Sequence, residues 1–190
     1  MLSLIKDVNR FFLICFVMIT VSLNVLCDGS VLAQENSIGV FVENMTIDKE
    51  TKKIDICKYC GRLMKVGNIH SDADKIMGNQ VGVELDYRKI QYVWGRENNK
   101  YLHVYIYRFE ERKGGNFAVE KPAGVGFHMH VIEDNSVKRT FVFDEDQRPL
   151  SENVLNIGQF FKRGGKWITM DVLSQEGIEK GLNLLADDLK

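Results

Sequence analysis

Proline is scarce, with only two among 190 residues. Since no low-complexity run or internal repeat accompanies that scarcity, nothing in the chain reads as an internal linker. An excess of positive charge is missing as well. With 25 Lys and Arg against 26 Asp and Glu, the formal charge is −1. No surplus exists to neutralise a row of phosphates, so nucleic acid is not an expected partner. The chain also lacks a G-x-S-x-G elbow, a phosphate loop, a dinucleotide fingerprint and an H-E-x-x-H helix. It therefore reads as a protein that is not an enzyme. Of four cysteines, two fall within the first 27 residues and only Cys57 and Cys60 follow.

Residues 1–33 are read separately. Lys6 and Arg10 make a short basic start, residues 11–27 are almost uninterruptedly apolar, and Val31-Leu32-Ala33 places small or short side chains where a signal peptidase reads. The pattern predicts a secretory leader cut after Ala33. Two alternatives stay open: an uncleaved membrane anchor, or lipid on Cys27, against which the bulky Leu26 stands. Each places residues 34–190, read as a single domain, on the far side of a membrane, either periplasmic or membrane-attached and facing the periplasm. Two basic and two acidic residues leave with the leader, so the domain keeps the same balance.

Within that domain, residues 101–147 carry the strongest pattern. Period-2 alternation over three linked segments predicts an antiparallel meander, with Val125, Phe127, Met129 and Val131 facing the core and Phe141 and Phe143 continuing that face. In the first of these strands Tyr101, His103, Tyr105, Tyr107 and Phe109 share the opposite side. Ile38, Val40 and Val42 make an earlier buried strand with Phe41 on its other face, and residues 90–94 another strand. A helix is expected from a Ser71 cap to Tyr87, with Ala73, Ile76, Met77, Val81 and Leu85 as its stripe and Gly78 and Gly82 allowing close approach to a sheet. A second is expected after Ser151, ending at Gly164-Gly165, and a last one, capped by Thr169 or Asp171, along Leu173, Ile178, Leu182, Leu185 and Leu189. The expected class is α+β, a mainly antiparallel sheet with helices packed on it.

Chemistry concentrates at Cys57-Lys58-Tyr59-Cys60-Gly61. A tight C-x-x-C-G turn can present two sulfurs to one zinc ion as half of a tetrahedral site, with His70 as a candidate third ligand and the fourth from His128 or His130, from water or from a second chain. In an oxidising compartment the same pair can instead form a local disulfide, and a redox-active pair is a further alternative. His128 and His130 project from one face of a strand with His103 next to them, a secondary metal candidate whose plain alternative is a half-exposed polar face. No cofactor is expected otherwise. Glu43, Asp144, Glu145 and Asp146 read as solvated charges. Tyr105, Tyr107 and Phe109 are expected to leave an exposed aromatic patch for a protein partner.

The segments Tyr105-Ile106-Tyr107-Arg108-Phe109, Glu120-Lys121-Pro122-Ala123, Phe143-Asp144-Glu145-Asp146-Gln147, Leu150-Ser151-Glu152-Asn153 and Arg163-Gly164-Gly165-Lys166-Trp167, in that order, resemble a family of uncharacterised delta-proteobacterial envelope proteins, many of them lipoproteins. More distantly the layout is similar to the amino-terminal domain of the Tol translocation protein, the lipoprotein of the curli secretion pore and the lipoprotein activators of penicillin-binding proteins. The resemblance implies an αβ layer fold that works by binding other envelope proteins, with membrane attachment through the leader. This chain departs from the pattern where residues 95–100 are too few for a helix expected between the second and third strands. The implied function is a noncatalytic extracytoplasmic binding module in envelope or secretion assembly, the alternative a metal-binding or thiol-active periplasmic protein.

Overall fold

The computed structural model describes residues 37–48, 51–114, 119–121, 123–146 and 168–190. The leader, the helix expected after Ser151 and the Gly164-Gly165 stop lie outside these residues. In chain order the elements are β1 (Ile38–Asn44), β2 (Ile54–Ile56), β3 (Leu63–Lys65), α1 (Ala73–Tyr87), β4 (Tyr92–Trp94), β5 (Lys100–Glu110), β6 (Lys113–Gly114), β7 (Val119–Lys121), β8 (Gly124–Glu133), β9 (Ser136–Asp146) and α2 (Met170–Leu185), which a 3-10 turn, Ala186–Leu189, extends. The class is α+β, as the alternation predicts.

Five strands make one sheet in the order β4-β1-β5-β8-β9. Strands β5, β8 and β9 form the expected antiparallel meander. β1 runs parallel to both of its neighbours, a feature that alternation alone does not encode. α1 and α2 cover one face, where Val40, Leu102, Val104, Ile106, Val125, Phe127, Met129, Val131 and Phe143 meet Met77, Val81, Leu85, Leu173, Ile178 and Leu182. Phe127 and Met129 are fully buried and Phe141 packs against the same cluster. At roughly 1.5–3 kcal/mol for each large apolar side chain taken out of water, this layer is the main source of stability.

The helices begin and pack for local reasons. α1 opens one residue later than a Ser71 cap would place it, with Asp72 in the capping position; the Asp72 carboxylate pairs with Lys75 at 3.0 Å and makes no side-chain cap. In α2 the Thr169 hydroxyl does cap, accepting from the Val172 backbone N–H. The two helices are joined by the Gln80 amide, which donates to the Asp171 carbonyl and accepts from the Ser174 hydroxyl. α2 lies close to the sheet because it lacks side chains where it crosses the aromatic rows. A Cβ on Gly177 would stand 2.8 Å from the Phe143 ring and 2.9 Å from Phe127, and one on Gly181 would meet Met129 and Phe141. On α1, a Cβ at Gly82 would meet the Tyr92 hydroxyl at 2.8 Å, whereas one at Gly78 would find only the Trp94 ring at 3.8 Å.

Two expectations about the opposite face are corrected. Tyr105, Tyr107 and Phe109 are 5%, 0% and 1% exposed, so they form no aromatic patch for a partner. A register shift between Ile106 and Arg108 makes Tyr107 a bulged residue, which returns Phe109 to the helix side opposite Val125. Gly126 makes room for the Tyr107 ring, which a Cβ there would overlap. Asp144 and Asp146 are strand residues of β9 that hold the buried Arg108, Asp144 at 2.5 Å and Asp146 closer still, so neither is a solvated loop charge.

The two glycine sites give opposite expectations. Gly177→Val forces a branched side chain against two rigid rings and should cost about 2 kcal/mol or more. Gly78→Ala adds a methyl at ordinary contact distance and should gain up to about 1 kcal/mol in helix propensity. Urea midpoints of the two variants, measured against the parent, check both signs.

Candidate metal centre

The second face of the sheet is roofed by the β2–β3 hairpin. Its strands pair Ile54 with Lys65 and Ile56 with Leu63, and its seam to the sheet includes the Gly67 N–H donating to the Tyr107 carbonyl at 3.1 Å. Between the strands the C-x-x-C-G segment closes on itself. The Cys57 N–H donates to the Arg62 carbonyl, the Gly61 N–H donates to the Cys57 carbonyl, and Gly61 adopts φ +70, a left-handed conformation that glycine takes without cost. The Tyr59 and Cys60 backbone N–H groups donate toward the Cys57 sulfur, an arrangement that favours thiolate. Both cysteines are free, Cys57 buried and Cys60 half-buried.

Beneath the hairpin, register places three histidines side by side. His103 of β5 sits opposite His130 of β8, and Tyr105 opposite His128. His128 and His130 are fully buried, which corrects the half-exposed face expected for them. Their rings rise to meet the cysteines: His130 Nε2 stands 3.6 Å from Cys57 Sγ, and His128 Nδ1 stands 3.4 Å from Cys60 Sγ. One donor atom from each of Cys57, Cys60, His128 and His130 lies within 4.8 Å of all the others. Zinc bonds of about 2.3 Å to sulfur and about 2.0–2.1 Å to nitrogen put a sulfur and a nitrogen about 3.6 Å apart across a tetrahedral angle. The two cross-contacts match that edge.

His70 is not a member of this group. It is exposed, its Nδ1 accepts from the Asp72 N–H at 3.3 Å, and its backbone pairs with Phe109. Two further groups belong to the surroundings of the site instead. His103 Nδ1 lies 3.3 Å from His130 Nδ1, and its Nε2 lies 3.3 Å from Glu43 Oε1. That second contact is off-axis, so Nε2 makes no well-formed hydrogen bond. The better-aligned donor to the same oxygen is the Tyr59 hydroxyl, at 2.5 Å. Glu43 is thus a paired residue on β1, with Lys58 at 3.6 Å, and not a solvated charge. The sequence signal for Glu43 was weak because only the parallel β1–β5 pairing brings it beside the histidines.

Burial sets the protonation states. Desolvation holds His103 and His128 down to about 4, against an ordinary value of 6.5. His130 falls to about 3, through desolvation first and then the neighbouring His103 and His128. Burial pushes the Cys57 thiol up, and burial with the Glu43 contact raises Tyr59. Three neutral imidazoles under a lid are suited to lend lone pairs to a cation. His128 Nε2 is buried with no protein hydrogen-bond partner among the described residues.

No family model matches the sequence, and no curated protein matches it. Among solved structures, a Xanthomonas campestris protein described by the family model DUF330 overlays with a TM-score of 0.43 at 14% identity, covering 83% of this chain and 90% of its own. A minor lipoprotein from Acinetobacter baumannii overlays with a TM-score of 0.37 at 10% identity, covering 78% of this chain and 92% of its own. Overlaps this loose say nothing of chemistry.

The buried imidazoles give a pH dependence with a definite sign. In the metal-free protein the unfolded chain takes up protons near 6.5 while the native histidines stay neutral down to about 4. Stability is therefore complete above about 6.5 and is lost as pH falls from there toward 4. Urea midpoints at pH 7, 5.5 and 4.5 should fall in that order, and a flat series would mean that water reaches the rings.

Proposed function

We propose that this chain is a metal-binding extracytoplasmic protein in which one zinc ion, held by Cys57, Cys60, His128 and His130, pins the β2–β3 hairpin onto the sheet. The observation that carries the reading is the convergence of two sulfurs and two imidazole nitrogens within 4.8 Å of one another, with both cysteine–histidine contacts at the edge length of a zinc tetrahedron. A mixed S2N2 set of this geometry suits zinc above the harder cations, which take oxygen. Four protein ligands fill a tetrahedron and leave no position for water or substrate, so the centre is structural and not catalytic. The leader predicted in residues 1–33 supplies the extracytoplasmic part of the reading.

A binding role for the module has its own support. Ile54, Ile56 and Leu63 are 61%, 60% and 68% exposed on the hairpin. A roof held by metal and apolar on its outer strands suits contact with another envelope protein. Crosslinking in envelopes followed by pull-down checks this role, and recovery of no envelope protein would count against it.

For the metal, the measurement is elemental analysis of purified full-length protein, together with thiol titration before and after chelation under denaturing conditions. The expected result is one zinc per chain, with Cys57 and Cys60 reacting only after the metal is stripped. Cys57→Ala and His130→Ala should each abolish stoichiometric binding. A protein without metal, with both sulfurs unreactive until reduced, would establish the local disulfide and end the zinc reading.

A further inference from the structure

Glu43, His103 and Tyr59 form a second layer around the four ligands, and we infer that they preset His130 to present its Nε2 lone pair to the ion while tying the cysteine turn to β1. The inference deepens the zinc reading and rests on it. It follows from which atoms face one another. A carboxylate oxygen only accepts, and Nε2 is the His103 nitrogen beside Glu43 Oε1, at 3.3 Å, so even off the ring-nitrogen axis the negative charge favours the tautomer with the proton on Nε2. In neutral His103 that leaves Nδ1 a bare acceptor. His130 Nδ1, 3.3 Å away, must then be the donor. With its proton fixed on Nδ1, His130 has its lone pair on Nε2, the atom that stands 3.6 Å from Cys57 Sγ. Outer partners that fix the tautomer and aim of a metal-bound histidine raise its affinity for the ion.

Tyr59 closes the second layer into a ring. It lies between the two cysteines in sequence, and its hydroxyl donates to the same Glu43 oxygen that faces His103. Its ring also packs edge-on against His103 at 4.4 Å between centroids and against Tyr105 at 5.4 Å. Glu43 thereby holds the hairpin turn through the Tyr59 hydroxyl and sets its charge beside the histidine row at His103 Nε2. His128 has no such partner, since its Nε2 is buried without one among the described residues. The two histidines are thus unequal: His130 is oriented from outside the site and His128 by packing alone.

The test uses the full-length chain and two independent readings. Long-range proton–nitrogen correlation on histidine-labelled, metal-free protein reports tautomers directly. The expected pattern is the proton on Nε2 of His103 and on Nδ1 of His130. Zinc affinity by chelator competition is then compared for the parent, Glu43→Gln and Tyr59→Phe. Loss of the carboxylate should weaken binding about 10–100-fold, with one site per chain and the cobalt(II) spectrum of an S2N2 tetrahedron unchanged. A merely structural loss would alter that spectrum or the stoichiometry. The opposite tautomer of His130, or equal affinity in Glu43→Gln, overturns the inference. If the parent binds no zinc, the metal reading falls by itself, while the tautomers of the metal-free protein still decide the relay.

Discussion

The hairpin that carries the cysteines cannot hold its position by apolar burial. Two three-residue strands are marginal on their own in water. Met64 and Cys57 are its fully buried side chains, with Tyr59, Cys60 and Val66 only partly covered. Ile54, Ile56 and Leu63 remain outside. What the hairpin does possess is a set of polar attachments at one end: two sulfurs aimed at two imidazoles, and a tyrosine hydroxyl aimed at a carboxylate. The burial of His103, His128, His130 and Tyr107, and hence their displaced protonation, depends on that roof staying in place.

The sheet and the site obey different rules. On the helix face, side chains fit because glycines at 177 and 181 let rings and backbone approach, and the buried Ser174 is satisfied by Gln80 between the helices. On the hairpin face, polar side chains are buried and must be satisfied by each other. Arg108 meets this demand with Asp144 and Asp146, Tyr107 with the Phe143 carbonyl and Asp144, and His130 with His103. An isolated polar group left unpaired there costs about 1–3 kcal/mol. Cysteine and histidine meet the demand in pairs, Cys57 with His130 and Cys60 with His128.

The meander was legible because alternation reports which face a side chain takes, and Phe127, Met129 and Phe143 obey it. The C-x-x-C-G turn and the shared face of His128 and His130 were legible for the same reason: each depends on spacing within one segment. Joining them was not. The histidine nearest the cysteines in sequence, His70, is held by Asp72 and Phe109 on another side of the domain, while the true neighbours stand 68 and 73 residues away. Glu43 required knowledge of a parallel pairing, and Phe109 of a bulge, neither of which has a signature in periodicity. The exposed aromatic surface expected from Tyr105 and Tyr107 failed because alternation tells which side a residue faces but not what lies above it.

The span between Cys57 and His130 also bears on how the molecule is put together. An ion bridging them, as proposed, would close a loop spanning 73 positions that runs from β3 through α1, β4, β5, β6 and β7 into β8. Such a bridge is a reversible crosslink, and its entropic benefit grows only slowly with loop length. All four donors lie on the hairpin and β8, and the His130 neighbour on β5, His103, is not among them, so an ion there would lock the hairpin to the middle of the sheet and not to its edge.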